Sequence, residues 1–187
     1  MHFLKYSFLI FLGACAAPHV DLMAGVRNFD GAWEQMDVQP AVAAQVNTAS
    51  PNGFGAECGF IASSDTSYDG TYVNRQANHA SSSVHEIFIG ARKNFLLSEK
   101  LQFFLSAGES YASLNTSVDL AYNDNTVSRK TESLSPYAQA GLNLFVGHNY
   151  TIGILVRRDF WSEGHNMFEI EPLADSTSGF LTFGYSF

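Results

Sequence analysis

Apolar and polar residues alternate with a period of two through the last ten residues of the chain, S-G-F-L-T-F-G-Y-S-F. One face carries the large side chains of Leu181, Phe183, Tyr185 and Phe187, and the other carries mostly small residues. A period of two predicts a β-strand. Because the apolar face is unbroken, we expect an apolar environment to cover it.

The same alternation occurs along much of the chain before this segment. Each stretch is near the roughly 9–11 residues with which a tilted strand crosses a bilayer, and none of the intervening sequence has the pattern of an amphipathic helix. With the last segment, these stretches predict eight strands, the first seven over residues 22–29, 40–47, 54–62, 84–95, 101–111, 134–146 and 150–161.

The connections between the predicted strands alternate in length. T-A-S-P-N-G, L-L-S-E-K and G-H-N are short, whereas residues 30–39, 64–83, 115–132 and 163–178 are longer and polar. An even number of strands with this alternation is typical of outer-membrane barrels, whose short turns face the periplasm and whose long loops face outside. Lipid offers the backbone no hydrogen bonds, so a sheet in lipid must close. We therefore expect an all-β fold, an eight-stranded antiparallel up-and-down transmembrane β-barrel over residues 17–187.

Composition agrees with this class. The 187-residue chain is 46% hydrophobic and only 15% charged, and its net charge of −8 argues against nucleic-acid binding. No stretch approaches the roughly 18 uninterrupted apolar residues of a membrane-spanning helix.

The first 16 residues have the layout of a cleaved secretory signal, with a basic start, a short apolar core and small residues after it. Ala14-Cys15-Ala16 fits a signal-peptidase site. The alternative is a lipoprotein signal, because Leu12-Gly13-Ala14-Cys15 resembles a lipobox. In either case Cys58 stays without an internal disulfide partner, and we interpret it as a small apolar residue on a strand.

Three stretches carry a resemblance to a known class of proteins. The ending Phe183-Gly184-Tyr185-Ser186-Phe187 resembles the terminal assembly signal of bacterial outer-membrane proteins. E-I-F-I-G-A-R-K-N-F and L-S-P-Y-A-Q-A-G-L-N-L-F-V-G-H-N-Y-T-I-G resemble the small OmpA/OmpX-like barrels, the outer membrane protein beta-barrel domain. The resemblance implies that the barrel-assembly machinery reads Phe183, Tyr185 and Phe187 during insertion.

The polar faces of the predicted strands carry three basic and three acidic residues. Buried charges must be paired, and an eight-stranded barrel is just wide enough for side chains to fill it. We therefore expect a charge-paired, largely plugged lumen, and the alternative is a narrow ion path through the same polar column. The six residues are Arg27, Glu57, Glu86, Arg92, Arg157 and Asp159.

The opposite, lipid-facing sides of the strands have only three charged exceptions. Lys93 falls close to a turn, and Glu109 and Arg158 fall close to the outer interface. A charge at the membrane midplane would be costly, whereas one near an interface can reach water.

Catalysis has one local candidate, Ser162-Glu163-Gly164-His165, in which Glu163 or Asp159 could orient the histidine. The surrounding residues do not match the H-x-S-N motif of lipid A deacylases, so we expect no catalytic residues. The remaining histidines show no metal-ligand spacing, and we expect neither a metal nor a cofactor.

The predicted loops are strongly acidic. They form either a solvated rim or a surface that divalent cations bridge to lipopolysaccharide phosphates. In the fourth loop, M-F-E-I-E-P-L also alternates and predicts a strand extension with a free edge. The acidic loop residues are Asp30, Glu34, Asp37, Asp65, Asp69, Asp119, Asp124, Glu132, Glu163, Glu169, Glu171 and Asp175.

The leading hypothesis is a monomeric, non-enzymatic outer-membrane protein with an envelope-structural or surface-interaction role. Its partners would be outer-membrane lipid, lipopolysaccharide and, during insertion, the barrel-assembly machinery. The alternatives are a narrow channel or small-solute carrier and a lipid A-modifying enzyme.

Overall fold

A computed structural model describes residues 18–30, 38–72, 75–120, 126–160 and 175–187. Each strand pairs antiparallel with its neighbours in sequence, and the last strand pairs with the first, so the sheet closes into a barrel. The predicted eight-stranded antiparallel barrel is confirmed. The strands are β1 (His19–Phe29), β2 (Val38–Asn47), β3 (Phe54–Tyr72), β4 (Arg75–Ser98), β5 (Leu101–Leu120), β6 (Thr126–Val146), β7 (Tyr150–Asp159) and β8 (Ser176–Ser186).

The two ends of the barrel differ in their connections. Short turns over residues 48–53, 99–100 and 147–149 lie at one end, which we call the turn end. Gly147 in the third turn has a φ of 77°, a conformation that glycine adopts without strain. We call the opposite end, where β3 meets β4 and β5 meets β6, the loop end.

The prediction that residues 64–83 and 115–132 form loops is wrong. Most of residues 64–83 and 115–132 belongs to strands, because β3, β4, β5 and β6 continue well past the apolar pattern. β3 and β4 stay paired through the first polar stretch, for example at Ser64↔Ser83, and β5 and β6 stay paired through the second, for example at Ser117↔Ser128. The four strands therefore form a sheet that rises above the rest of the barrel at the loop end.

This raised sheet has two free edges in the part of the chain that the structure describes. β2 pairs with β3 only as far as Ser63, and β7 pairs with β6 only as far as Tyr137. Among the described residues, β3 beyond Ser63 has no strand on its side away from β4, and β6 before Pro136 has none on its side away from β5.

The outer surface of the barrel is apolar below the raised sheet. Side chains such as Leu22, Ile87, Leu142 and Ile152 are each more than a third exposed, and they alternate with buried residues along every strand. Cys58 is a free, exposed thiol on this surface, in the position that the alternation predicts. A surface of this kind needs an apolar covering.

Several sequence features lie outside the described residues. They are the predicted signal segment 1–16, the Ser162–His165 candidate and the M-F-E-I-E-P-L stretch at 167–173. Among the described residues, no helix has the length and apolar character to cross a bilayer.

Candidate functional site: the barrel interior

The inward-facing side chains of all eight strands meet in the lumen. Strand alternation points every second residue inward, and the closed sheet surrounds them. The structure places all six charged residues of the predicted lumen set there, each no more than 1% exposed. It divides them into two groups, one toward each end of the barrel.

The group toward the loop end, the loop-end network, consists of Arg27, Glu86, Arg157 and Asp159. Glu86 accepts from Arg27 through one carboxylate oxygen and from Arg157 through the other. Asp159 lies 3.2 Å from Arg27 Nη2 and 2.8 Å from Arg157 Nη2. Two guanidinium groups thus contact two carboxylates directly, and the charges of the network balance.

Two serine hydroxyl groups also bond to the loop-end network. Arg27 Nε donates to the Ser178 hydroxyl at 3.2 Å, and Ser176 donates to Asp159 at 3.3 Å. Above the charges, toward the loop end, a small apolar cluster consists of Phe29, Val84, Ala112 and Leu114.

An apolar layer fills the lumen between the two charged groups. Phe88 packs edge-on against Tyr137, with ring centroids 5.3 Å apart. The Arg157 guanidinium lies 3.8 Å from the Tyr137 centroid on the side of the loop end. Glycines make room for these rings, because a Cβ on Gly59 would lie 2.5 Å from Phe88 and one on Gly90 would lie 2.2 Å from the Tyr137 hydroxyl.

The group toward the turn end, the turn-end network, centres on Asp21, Glu57 and Arg92. Glu57 Oε1 accepts from the Tyr137 hydroxyl at 2.8 Å and from Gln139 Nε2 at 2.9 Å. Tyr137 therefore connects the two networks, because its ring contacts Arg157 and its hydroxyl contacts Glu57.

Asp21 holds the lower part of the turn-end network together. It accepts from Gln45 Nε2 at 2.9 Å and lies 2.7 Å from His19 Nε2. The other ring nitrogen of His19 is 2.8 Å from the Ser186 hydroxyl. These bonds link β1, β2 and β8 at the turn end.

Arg92 is paired more loosely than the other two lumen arginines. Its Nη1 lies 3.9 Å from Asp21 Oδ2 and 3.9 Å from Glu57 Oε2. Among the described residues, Glu57 Oε2 is buried without a hydrogen-bond partner, and so is the Nη1 atom of each of the three lumen arginines, but only Arg92 also lacks a direct contact between its Nη2 atom and a carboxylate. The guanidinium is supported instead by the Phe104 ring, 3.5 Å from its centroid, and by Asn94, which accepts from Arg92 Nε at 2.9 Å.

Asp21 and His19 are lumen residues that lie outside the limits of the first predicted strand. The first predicted strand begins at Leu22, although β1 begins at His19. Asp21 has the same parity as Met23 and Arg27, so extending the alternation by one step would have found it.

The three charged residues predicted on the lipid-facing sides of the strands lie on the outer surface in the structure. Lys93 Nζ is 4.5 Å from the Phe54 ring centroid, at the turn end. Arg158 bonds to Asp30 and to Thr177 toward the loop end, and it lies 3.2 Å from Asp175. The hydrogen bond from Arg158 holds the pKa of the Asp30 carboxyl below its ordinary value of 3.8. Glu109 faces outward and is exposed.

The residues of the predicted assembly signal form an aromatic row at the turn end. Phe183 and Phe187 are 51% and 71% exposed on the outer surface. Tyr185 packs between Tyr150 and Phe187, with centroid distances of 5.2 and 5.0 Å. Within the described ranges, no group of three or more His, Cys, Asp or Glu side chains is placed to hold a metal ion.

No protein-family model matches the chain, and no curated protein matches it in sequence. Solved structures do match in fold. The outer membrane protein OprG of Pseudomonas aeruginosa aligns with a TM-score of 0.62 at 11% identity, over 92% of this chain and 96% of OprG. The attachment invasion locus protein Ail of Yersinia pestis aligns with a TM-score of 0.59 at 12% identity, over 91% and 97%.

The Neisserial surface protein A, NspA, is similar to the same extent, with a TM-score of 0.58 at 10% identity over 91% of this chain and 96% of NspA. At these identities the similarity concerns the fold. The chain therefore has the closed eight-stranded fold of the small outer-membrane barrels, the class that its sequence resembles.

Proposed function

We propose that the protein is an integral outer-membrane barrel that catalyses no reaction and whose lumen is largely plugged. It would have an envelope-structural or surface-interaction role. The observation that carries this proposal is the content of the lumen, where two buried charged networks lie on either side of an apolar layer. A hydrated ion moving through the lumen would have to lose its water at the apolar layer and separate the direct ion pairs of the loop-end network, and both steps are costly.

The exterior supports the membrane location. An apolar surface surrounds the barrel, and lipid is the covering that lets a closed sheet keep such a surface. The solved structures with this fold include proteins described as outer-membrane and surface proteins. We infer that the turn end faces the periplasm and that the raised sheet and the acidic loops face outside.

Delivery to the outer membrane would follow from the two ends of the sequence. We infer that residues 1–16 are removed as a signal peptide, and that the assembly machinery reads the aromatic row of β8. Deleting Phe187 should leave refolding in detergent mostly intact but should lower the amount of protein in the outer membrane of cells. Equal losses in both assays would mean that Phe187 serves packing alone.

A narrow channel or small-solute carrier is the second candidate, and one observation favours it. Both networks contain buried polar atoms without hydrogen-bond partners, among them Arg92 Nη1 and Glu57 Oε2 toward the turn end and Arg27 Nη1 and Arg157 Nη1 toward the loop end. Such atoms are usually satisfied by water. Water at these atoms would give a solute part of a path on each side of the apolar layer, which would still interrupt it.

Liposome swelling distinguishes the two candidates. The purified barrel is inserted into vesicles, its folded state is checked by heat-modifiable electrophoretic mobility, and small sugars and amino acids are added outside. A plugged barrel should swell the vesicles no faster than protein-free controls do. Swelling in proportion to the inserted protein would favour the carrier, and failure of the folded chain to insert would reject both.

A further inference from the structure

The first of the three short turns, residues 48–53, lies differently from the other two. The turns at 99–100 and 147–149 accept backbone hydrogen bonds from the strand beside them, so they stay on the rim of the barrel. The first turn accepts hydrogen bonds from two buried side chains of the lumen, Asn94 on β4 and Gln102 on β5. Because both side chains point inward, this turn folds across the mouth of the lumen at the turn end, and we call it the strap.

Lumen side chains fasten the strap through its carbonyl groups. Asn94 Nδ2 donates to the Ser50 carbonyl at 3.0 Å. Gln102 Nε2 donates to the Pro51 carbonyl at 3.1 Å. The strap begins at the end of β2, and β5 lies three strands further around the closed sheet. The bond to Gln102 therefore holds the strap over the opening of the lumen rather than beside it.

A glycine makes room for the strap on the inner wall. Gly55 pairs with Arg92 in the strand register and has the inward parity of Glu57. A Cβ at Gly55 would lie 2.3 Å from the Ala49 nitrogen and 2.4 Å from the Ala49 Cα. These are backbone atoms, which cannot turn aside as the end of a side chain can. A side chain at this position would therefore push the strap out of the mouth of the lumen.

The strap is coupled to the turn-end network through Asn94. The amide oxygen of Asn94 accepts from Arg92 Nε at 2.9 Å, while its amide nitrogen holds the strap. Beyond the strap, Arg92 Nη1 and Glu57 Oε2 are buried without hydrogen-bond partners among the described residues. Water stabilises buried polar atoms of this kind where it can reach them. An open strap would therefore expose two atoms that bind water.

The strap has the features of a segment that opens locally. Ser50, Pro51 and Asn52 are exposed and lie between the ends of β2 and β3, outside any strand. The hydrogen bonds that hold the strap contribute little net stability, because its carbonyl groups bond to water when it opens. Segments with exposed backbone and few buried apolar contacts open more readily than the strands around them.

We propose that the strap is a gate at the turn end of the lumen. In its closed position it shields Arg92 and Glu57 from water. In its open position it admits water and small hydrophilic molecules as far as the apolar layer of Phe88 and Tyr137. The lumen is therefore a compartment that fills and empties from one end, without a path through the barrel. This gate rests on the proposed function in one respect, because it takes the apolar layer to stay closed.

Thiol labelling of the folded, full-length barrel in detergent tests the gate. Cys15 and Cys58 are first replaced by serine, and one reporter, Ser106→Cys or Ser110→Cys, is then introduced on β5. Both positions are buried in the lumen. The rate of reaction with a small, charged methanethiosulfonate reagent measures how often water reaches each reporter.

The two reporters lie at different depths from the strap. Ser106 pairs with Arg92 in the strand register, on the strap side of the apolar layer. Ser110 pairs with Phe88, which belongs to that layer. Opening the strap should therefore expose Ser106→Cys and leave Ser110→Cys protected.

Two variants release the strap. Gly55→Ala crowds its backbone, and Gln102→Ala removes one of its hydrogen bonds. Gly179→Ala is the matched control, because a Cβ there meets no atom within 4 Å. We expect Ser106→Cys to react about fivefold faster in both strap variants than in the wild type or the control, since the loss of one hydrogen bond changes an opening equilibrium by about that factor. The rate at Ser110→Cys should be the same in all four proteins.

The outcomes separate the gate from the proposed function. Equal rates at Ser106→Cys in the strap variants and the control overturn the gate and leave the plugged lumen standing. Faster reaction at both reporters overturns the one-ended compartment, and with it the plugged lumen. Gln102→Ala shortens one side chain beneath an exposed turn, so it decides the matter even where Gly55→Ala folds poorly.

Discussion

Arg27 and Arg157, near the loop end of the lumen, each contact two carboxylates directly, whereas Arg92, near the turn end, lies 3.9 Å from each of its two. All three side chains are equally buried. The loop-end network balances two positive charges with two negative ones. The turn-end network sets Arg92 against Asp21 and Glu57, and its carboxylates depend on neutral donors as well.

The difference shows two ways of keeping charge inside a narrow barrel. A directly paired network compensates the desolvation of each ion with its partner, so the loss of one member strands another. In a network held by tyrosine and glutamine donors, the carboxylates are hydrogen-bonded independently of the arginine. The two networks should therefore respond differently to the same chemical change.

The largest effect is expected for Glu86→Gln. The substitution keeps the shape but leaves Arg27 and Arg157 facing each other with Asp159 as their only described carboxylate. We expect a loss of about 3–5 kcal/mol in the free energy of unfolding, because a buried positive charge becomes uncompensated. Urea unfolding of the barrel in lipid vesicles measures it. A loss below about 1 kcal/mol would mean that water reaches this network.

Tyr137→Phe should have a smaller effect. The ring and its contacts with Phe88 and Arg157 are kept, and only the hydrogen bond to Glu57 is lost. One such bond to a carboxylate is worth about 1.5–3 kcal/mol, and Gln139 still donates to the same oxygen, so we expect a loss at the lower limit of this range. Phe88→Leu, which removes the aromatic contact and keeps the hydroxyl, is the matched control in the same unfolding assay.

Glu57→Gln should be milder still, within about 1 kcal/mol of the wild type. The amide oxygen can accept from Tyr137 and Gln139, and removing one negative charge leaves Arg92 balanced by Asp21. Comparing this variant with Glu86→Gln by urea unfolding tests the contrast between the networks. Equal losses in the free energy of unfolding for the two substitutions would show that the two networks do not differ.

The smallest expected effect is the pH dependence of stability that the exterior pair Arg158–Asp30 contributes. Because Arg158 lowers the pKa of Asp30 in the folded protein, this carboxylate contributes stability above pH 3.8 that is lost as the pH falls through the lowered value. The pair is exposed, so the contribution should stay below about 1 kcal/mol. Between pH 5 and pH 3 the wild type should lose slightly more stability than Arg158→Gln does. An identical loss in both proteins would show that the pair contributes nothing.

The faces of the strands could be predicted because lipid imposes them. Leu22, Ile87 and Leu181 face outward, and Arg27, Glu86 and Thr182 lie inside, as a period of two requires. The single rule that apolar side chains face lipid is therefore enough to predict the number of strands, which residues of each strand face outward, and the closure of the sheet.

The lengths of β3 to β6 could not be predicted by the same rule. Lipid selects for apolar side chains only where it touches the sheet, whereas backbone pairing needs no apolar residues. Stretches such as S-S-D-T-S and A-S-S-S-V have polar residues on both faces and resemble loops, yet they continue the ladder. The apolar pattern ends where the lipid covering would end, whereas the strands continue beyond that point.

The partners inside the lumen also lie beyond sequence reasoning. Tyr137 and Glu57 are 80 residues apart along the chain, and only the register of the closed sheet brings them together. The sequence predicts that lumen charges pair but not that six of them divide around an apolar layer. That division depends on the heights at which the strands place them.

Planar-bilayer conductance tests the central claim, the plugged lumen, most directly. The barrel is inserted, its orientation is checked by protease access, and current is recorded over a range of voltages. We predict no conductance steps for the wild type, and small steps for Phe88→Ala, which removes a ring from the apolar layer. Stable steps from the wild type, as large as those of the variant, would contradict a plugged barrel.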